Sequence, residues 1–437
     1  MTTEPSQKVN RSDDAQQRSR GYLVLLLVAA LIGVPISVIA FGFVAAVEQL
    51  ENLVWESLPS ALGFSEPPAW WAIPTLALAG VLVGLAVRRL PGNGGHVPAL
   101  GLASGPTAPG DLPGILLAAS ASLALGAVVG PEAPLLALGG GLAVLSVRRS
   151  SRMGGADATA VISAAGSAAA ISTILGNPLV ASILFLEFLG LGRRQALLVI
   201  LPCLASSGVG AMVFTGLGSW SGLDVGSLTI PDLSPVPLTI GNVAWAIPIG
   251  VAVAVGSWAV FVLGRRTASW VTQRTITYTI LAGIAVGLVA ALYSVTTGHS
   301  PADVALSGQE SLVTLATAPG TWSAGALTML LVCKGIGYGV CLGAFRGGPT
   351  FPAVFLGAAV GVLANMYLPG TDFVPSLAVG MAAGTAILGL PVTGVTLVVL
   401  VMGDAAADQM PVVILAVVAA SIVHQRLAPS PQPSPAD

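Results

Sequence analysis

The chain has 437 residues, of which 54% are hydrophobic and only 8% are charged, and its formal net charge is −2. Because soluble proteins carry about 25% charged residues, this composition excludes an ordinary water-soluble protein, and the scattered charges exclude a nucleic-acid-binding protein. We therefore predict an all-α polytopic membrane protein that crosses the lipid bilayer several times.

The first predicted elements are a polar cytoplasmic segment over residues 1–20 and a membrane helix over residues 22–47. The polar segment carries Lys8, Arg11, Arg18 and Arg20, and basic flanks stay on the cytoplasmic side of a membrane. The apolar run is too long for a cleavable signal peptide. Residues 51–69 hold three glutamates and no Lys or Arg, which predicts an outside loop. We expect a multi-pass protein of the plasma membrane with a cytoplasmic N-terminus.

Six further apolar runs predict membrane helices, because about 20 apolar residues cross a bilayer. They cover residues 71–87, 115–129, 196–214, 243–263, 277–292 and 327–342. The three cysteines lie singly within apolar segments, so we interpret them as packing residues. No metal or cofactor motif is present, and we expect no cofactor. A short polar tail is predicted over residues 428–437.

Two motifs occur once in each half of the chain. The pattern P-x-x-P-x-x-x-L-G begins at Pro131 and again at Pro349, and the pattern I-L-G-x-P begins at Ile174 and again at Ile387. This order predicts two repeat halves, about 21–215 and 237–427, within one membrane domain over residues 21–427. A Pro or Gly interruption ends a helix inside the membrane, and the new helix start offers free N–H groups to an anion.

Three short segments resemble the motifs of the CLC chloride channel and antiporter family. Residues 130–134 read G-P-E-A-P, residues 348–352 read G-P-T-F-P, and residues 94–98 read G-G-H-V-P. The family motifs are G-(K/R)-E-G-P, G-x-F-x-P and G-S-G-x-P, and the resemblance covers about residues 21–427. It implies a CLC-like fold of two inverted-topology repeats with broken, re-entrant helices. It also implies a homodimer that transports chloride or a similar small anion, with or without protons.

The resemblance makes Glu132 the gate of the anion path, since an ionisable group inside an apolar segment is costly and usually functional. A first-turn carboxylate that only stabilises its helix dipole is the structural alternative. Glu187 is a candidate for a proton path or a buried structural acid. The candidate anion-binding residues that the resemblance implies are Gly95, His96, Gly130, Pro131, Ala133, Gly348, Pro349, Thr350, Phe351 and Ala406.

Several positions depart from the family pattern. Gly95 stands where the family has a serine, Pro349 lacks the N–H that its counterpart offers to the anion, and Ala406 falls near the family's tyrosine. Thr350 adds one hydroxyl. Phe188 occupies the place of the inner, proton-relaying glutamate. These replacements favour passive or weakly coupled transport and leave proton-coupled antiport open.

Other functions compete with anion transport. An intramembrane protease would need a zinc motif or a nucleophile elbow, and neither H-E-x-x-H nor G-x-S-x-G occurs. We therefore expect no enzymatic activity. A secondary transporter of another solute, built on a different inverted repeat, remains an alternative. Lys334 in its apolar run either adds positive potential to the pathway or is a paired or snorkelling residue.

Overall fold

The structure, a computed structural model, describes residues 6–101, 105–148, 156–189, 193–222, 229–231 and 233–427. The predicted tail over residues 428–437 lies outside them. The helices are α1 (Ser6–Asn52), α2 (Leu58–Ala61), α3 (Ala72–Arg89), α4 (Leu112–Ala124), α5 (Glu132–Arg148), α6 (Ala156–Leu175), α7 (Pro178–Leu189), α8 (Arg193–Ser221), α9 (Ile240–Gln273), α10 (Thr275–Thr297), α11 (Gln309–Thr317), α12 (Ala324–Ala344), α13 (Thr350–Tyr367), α14 (Phe373–Ala386), α15 (Pro391–Met402) and α16 (Met410–Leu427).

The prediction of an all-α polytopic membrane protein is confirmed. Nine helical segments among the described residues are long and apolar enough to cross a membrane. They are Gly21–Ala61, Ala72–Arg89, Ala158–Leu175, Ala196–Ser221, Ile240–Gln273, Thr275–Thr297, Ala324–Ala344, Thr350–Tyr367 and Pro391–Leu427. The apolar helices α7 and α14 are shorter, as expected of helices that end within the bilayer.

The N-terminal region differs from the sequence-based expectation. Helix α1 begins at Ser6, so most of the predicted polar segment is helical. The predicted loop over residues 51–69 is wrong for its first half, because α1 runs to Asn52 and a π-helical turn, Leu53–Ser57, leads into α2. Trp55 within this turn is buried, and its burial favours a packed helical turn over a solvated loop. The three glutamates alone do not reveal this packing.

The predicted run over residues 115–129 also ends early, because α4 stops at Ala124. Gly126 has a φ of 97°, a left-handed conformation that favours glycine. A β-carbon built on Gly126 would lie 2.3 Å from the ring of Trp55. The helix therefore ends where the backbone must pass close to that indole.

The repeated I-L-G-x-P motif produces the same helix break in both places. Helix α6 ends at Leu175, Gly176 has a φ of 65°, and α7 begins at Pro178. In the second copy, Gly389 has a φ of 80° and α15 begins at Pro391. Glycine takes the left-handed conformation and proline is preorganised for the first turn of the new helix. The motif thus breaks a helix at both of its occurrences.

The described chain packs as two compact units. Of the described residues, those within 1–42, 105–109 and 135–224 form the first unit, and those within 43–104, 110–134 and 225–437 form the second. In the first unit α6 packs against α8. It also lies close to α5, because a β-carbon on Gly139 of α5 would lie 2.2 Å from the carbonyl oxygen of Gly166 of α6. Small residues let these backbones approach closely. The repeat halves at 21–215 and 237–427 stay a prediction.

The second unit rests on two close helix pairs, α3 with α10 and α13 with α14. A β-carbon on Gly283 of α10 would lie 2.1 Å from the carbonyl oxygen of Leu76 of α3. A β-carbon on Gly380 of α14 would lie 2.1 Å from the carbonyl oxygen of Gly357 of α13. These contacts leave no room for side chains, so α13 is held firmly by its neighbour. The first residues of α5 belong to the same unit.

Candidate functional site

The starts of α5 and α13 are joined by their backbones. The N–H of Gly130 donates to the carbonyl of Gly348 at 2.7 Å, and the N–H of Gly348 donates back to Gly130 at 2.5 Å. This antiparallel bridge is isolated from any sheet among the described residues. It places the two P-x-x-P motifs side by side, so that the N-terminal ends of α5 and α13 lie next to each other.

Glu132 is the carboxylate at this point. It is the first residue of α5 and is only 1% exposed. Its Oε1 accepts a hydrogen bond of 2.8 Å from the backbone N–H of Phe351, in the first turn of α13. Its Oε2 is buried and finds no partner within the described residues. The carboxylate therefore occupies the place where the free N–H groups of α13 could bind an anion.

Close packing against the Glu132 carboxylate requires glycine at both bridging positions, 130 and 348. A β-carbon on Gly348 would lie 1.7 Å from Oε2 of Glu132, and one on Gly130 would lie 2.3 Å from the same atom. Neither glycine has a positive φ, so close approach and not backbone strain explains the residue type. A methyl group at position 348 would have to displace the Glu132 side chain.

Two hydroxyl groups surround the start of α13. Thr350 lies beside the Glu132 carboxylate, and its buried Oγ1 has no partner among the residues described. The hydroxyl of the buried Tyr338 on α12 donates to the carbonyl of Pro349 at 2.5 Å. Pro349 is the N-cap residue of α13. Sequence reasoning missed Tyr338, although a phenol within an apolar run was a usable signal.

The other predicted residues lie in several places. Gly130, Pro131 and Ala133 flank Glu132, and Gly348 to Phe351 form the start of α13. The loop that contains Gly95 and His96 packs against α3 and α4 and lies near the side chain of Arg346. Ala406 is buried in a 3₁₀ segment, Gly403–Gln409, that packs against α14, α15 and α16. Glu187 is half-buried on α7 in the first unit. The roles proposed for these residues stay predictions.

Lys334 is paired with backbone carbonyls. Its side chain is fully buried, and Nζ donates to the carbonyls of Asp303, Ala305 and Leu306 at 2.8, 3.0 and 3.2 Å. The ring of Phe355 lies 5.0 Å from Nζ, a cation–π distance. All three ammonium donors are thus engaged. Lys334 is a paired residue, and direct ligation of an anion would require it to leave these carbonyls.

A cavity of about 350 Å³ opens next to the start of α13. Its walls include Pro349, Leu100 and Gly101, together with Phe261, whose ring stands edge-on to that of Tyr338. Arg265 and His424 supply polar groups to the cavity wall. The positive charge of Arg265 raises the local concentration of anions.

The model of the family described as voltage gated chloride channel matches residues 98–425. The chain is 30% identical over 379 residues to the ion-transport protein YfeO of Escherichia coli O1:K1 / APEC, and the match covers 85% of each chain. The same figures hold for the protein of that name from Escherichia coli strain SE11.

Solved structures show the same fold. A slow cyanobacterial Cl−/H+ antiporter matches with a TM-score of 0.74 at 17% identity, over 92% of this chain and 94% of that chain. A CLC-type fluoride/proton antiporter matches with a TM-score of 0.67 at 16% identity, over 92% and 96%. A eukaryotic CLC transporter matches with a TM-score of 0.67 at 17% identity, over 93% and 72%. The predicted fold class is confirmed.

The glycine contacts predict the effect of Gly348→Ala. The added methyl group should push the Glu132 carboxylate away from the Phe351 N–H while the α5 and α13 helices remain, since the glycine φ is acceptable for alanine. A structure of the variant would measure the distance from Glu132 Oε1 to Phe351 N. Gly256→Ala, at an open position, is the control. A variant distance still near 2.8 Å would contradict the prediction.

Proposed function

Because the chain belongs to the voltage-gated chloride channel family, we propose that it transports chloride or a similar small inorganic anion across the plasma membrane. The pathway is lined by the N-terminal ends of α5 and α13, and Glu132 is its gate. The observation that carries this proposal is the hydrogen bond from the Phe351 N–H to the Glu132 carboxylate. A carboxylate held at that helix start competes with any anion for the same donor.

Gating follows from this competition. When the carboxylate is charged, it holds the Phe351 N–H and its negative charge repels an arriving anion. When it takes up a proton, it becomes a weaker acceptor and loses that charge. The N–H groups at the start of α13 and the Thr350 hydroxyl are then free for the anion. The site thus favours passage of anions when Glu132 is protonated or displaced.

The proposed membrane orientation rests on the charge pattern, and the proposed oligomeric state rests on the family. We place the N-terminus in the cytoplasm because the basic residues of the first 20 positions flank the first span. The family resemblance supports a homodimer with one pathway in each subunit. We assign a transport role and no enzymatic one.

Proton-coupled antiport is the second candidate. Two of the structurally similar proteins are described as anion/proton antiporters. The place of the inner glutamate, however, holds Phe188, whose side chain cannot carry a proton, and Glu187 is turned about 100° away on a helix. The fold fits both functions, so simultaneous chloride and proton flux separates them.

The gate assignment predicts the behaviour of Glu132→Gln. The neutral amide should mimic the protonated acid, so chloride efflux from liposomes at about pH 7.5 should rise severalfold toward the wild-type rate near about pH 4.5. The pH dependence of the rate should be lost. Glu66→Gln, at an exposed position, is the matched control. Wild-type rates and an unchanged pH profile in Glu132→Gln would remove Glu132 from the gate.

The absence of the family's proton-relaying glutamate predicts weak coupling between chloride and proton transport. We expect an imposed proton gradient to drive little or no uphill chloride uptake into liposomes, because the sequence has Phe188, which cannot carry a proton, in the place of the family's relaying glutamate. Chloride and proton movements should be recorded together, with a chloride-specific electrode and a pH electrode. Sustained uphill chloride transport driven by protons would establish the antiporter instead.

Replacement of the family's anion ligands predicts poor selectivity among small anions. The central site lacks a hydroxyl at Gly95, an N–H at Pro349 and a phenol near Ala406, and each neutral hydrogen bond contributes on the order of 1 kcal/mol. Loss of two or three should weaken central binding by roughly ten- to a hundred-fold. Efflux rates of chloride, bromide and nitrate should therefore agree within about threefold, or less than about 0.7 kcal/mol of discrimination. Strong preference for one of them would contradict this expectation.

A further inference from the structure

A groove of about 470 Å³ lies between the C-terminal end of α1, helix α3 and helix α4, and its lining residues belong to the second unit. Ala86 and Ala124 in this lining are buried, so they form the floor of the groove. Three exposed leucines form its sides, namely Leu78 and Leu82 of α3 and Leu117 of α4. Apolar surface is more stable against hydrocarbon than against water. The groove therefore suits an acyl chain.

One end of the groove carries a positive charge. Arg89, the last residue of α3, is the charged side chain of the described lining. It is exposed, and no ion pair to it occurs within the described residues. An arginine lays its aliphatic stem along apolar surface and keeps its guanidinium at the polar interface. The Arg89 guanidinium therefore lies where the headgroup of a lipid would be, and guanidinium groups bind phosphate through paired N–H donors.

The groove has the length of one lipid leaflet. Leu78 lies near the middle of α3 and Arg89 at its end. The rise between these two residues along the helix is about 16 Å, at about 1.5 Å per residue. Half of the hydrocarbon thickness of a bilayer is about 15 Å. A single acyl chain whose headgroup lies at Arg89 therefore reaches along α3 to the middle of the membrane.

Two tryptophans fix the end of the groove that lies away from Arg89. Nε1 of Trp71 donates to the carbonyl of Val54, a residue of the lining, at 3.0 Å. The buried ring of Trp55 lies where a β-carbon on Gly126 would be. These contacts tie the turn after α1 to the start of α3 and to the end of α4.

A close backbone contact fixes the other end of the groove. A β-carbon on Gly114 of α4 would overlap the carbonyl oxygen of Pro91, two residues after Arg89. Leu90, between them, belongs to the lining. Because both ends are held by packed residues, the groove is preorganised, which lowers the entropic cost of binding a ligand.

We propose that this groove binds one anionic phospholipid, with an acyl chain along α3 and the phosphate on Arg89. The apolar lining recognises the chain, and the guanidinium distinguishes a headgroup of negative net charge from a zwitterionic one. In the proposed orientation the lipid belongs to the cytoplasmic leaflet, because the chain has two candidate spans, Gly21–Ala61 and Ala72–Arg89, up to this point. Binding of the lipid does not depend on anion transport.

The neighbouring Arg88 provides a comparison within the same helix end. It is exposed like Arg89, but it does not line the groove. The preference of basic flanks for the cytoplasmic side of a membrane and the attraction of cations to a helix C-terminus act on both arginines alike. A lipid bound in the groove predicts a difference between them.

Native mass spectrometry of the full chain in detergent measures the binding. The protein is titrated with phosphatidylglycerol and with phosphatidylcholine that carry the same acyl chains. The wild type should bind phosphatidylglycerol about fivefold more tightly, which is the contribution expected of one basic side chain beside an anionic lipid. Arg89→Gln should lose this preference and keep its affinity for phosphatidylcholine. Arg88→Gln is the matched control and should change the preference by less than about twofold.

A variant that fills the groove tests the position of the acyl chain. Ala121 of α4 lines the groove, and Ala121→Phe should weaken the binding of both phospholipids about tenfold, since the ring displaces about two methylene groups of the chain. Ala252→Phe, at an exposed position of α9 outside the groove, is the control and should bind both as the wild type does.

Thermal unfolding separates a lipid from a free phosphate ion. Saturating phosphatidylglycerol should raise the melting temperature of the wild type, as a ligand of the folded state does. Inorganic phosphate at the same concentration should leave it unchanged, because it offers nothing to the apolar lining.

Several outcomes would overturn the site. They are equal affinities of the wild type for the two phospholipids, an equal loss in Arg89→Gln and Arg88→Gln, unaltered lipid binding in Ala121→Phe, and stabilisation by inorganic phosphate as strong as that by the lipid. A lower melting temperature of Arg89→Gln with an unaltered lipid preference would show a structural role only. If Ala121→Phe fails to fold, the two variants at the exposed arginines decide the question. None of these measurements uses anion flux, so they leave the proposed function untouched.

Discussion

Two backbone hydrogen bonds between Gly130 and Gly348 are the constraint on which the site depends. They hold the starts of α5 and α13 together, so that the carboxylate of Glu132 reaches the Phe351 N–H of the other helix. Without this bridge, each P-x-x-P motif would open a helix on its own. With it, the acid on one helix accepts a hydrogen bond from the first turn of the other, and this contact is the basis of the proposed competition between carboxylate and anion.

The bridge also explains the residue types around it. Glycine is needed at both bridging positions because the Glu132 carboxylate lies where a β-carbon would be. Proline at 349 removes one N–H from the start of α13, and the Tyr338 hydroxyl binds the carbonyl of that proline instead of facing an anion. The start of α13 thus has fewer neutral donors and a tightly packed carboxylate, and in the proposed pathway the helix N-termini would supply most of the attraction for anions.

Lys334 and Arg346 are buried cations of this unit among the described residues, and they differ in how many of their donors find partners. The ammonium of Lys334 donates to the carbonyls of the segment around Asp303 and faces the ring of Phe355, so it stabilises the fold. Within the described residues, the Nε of the Arg346 guanidinium finds no hydrogen-bond partner, whereas its Nη1 donates to the carbonyl of Phe345. Burial of a charge is tolerated when partners are supplied. The described residues supply partners for the ammonium of Lys334 but for only part of the Arg346 guanidinium.

The sequence by itself determined the membrane class, the helix breaks at the repeated motifs and the carboxylate at a helix start, because hydropathy and the Gly and Pro rules act locally along the chain. Only the tertiary structure decided that Glu132 accepts a hydrogen bond from the N–H of Phe351 and that the Tyr338 hydroxyl donates to the carbonyl of Pro349. It also decided that residues 51–61 are helical around the buried Trp55. It also showed that Lys334 is paired with backbone carbonyls, whereas the Nε of Arg346 has no partner among the described residues. These outcomes depend on which backbone groups are already satisfied by distant segments, and a linear pattern of residue types carries no information about that pairing.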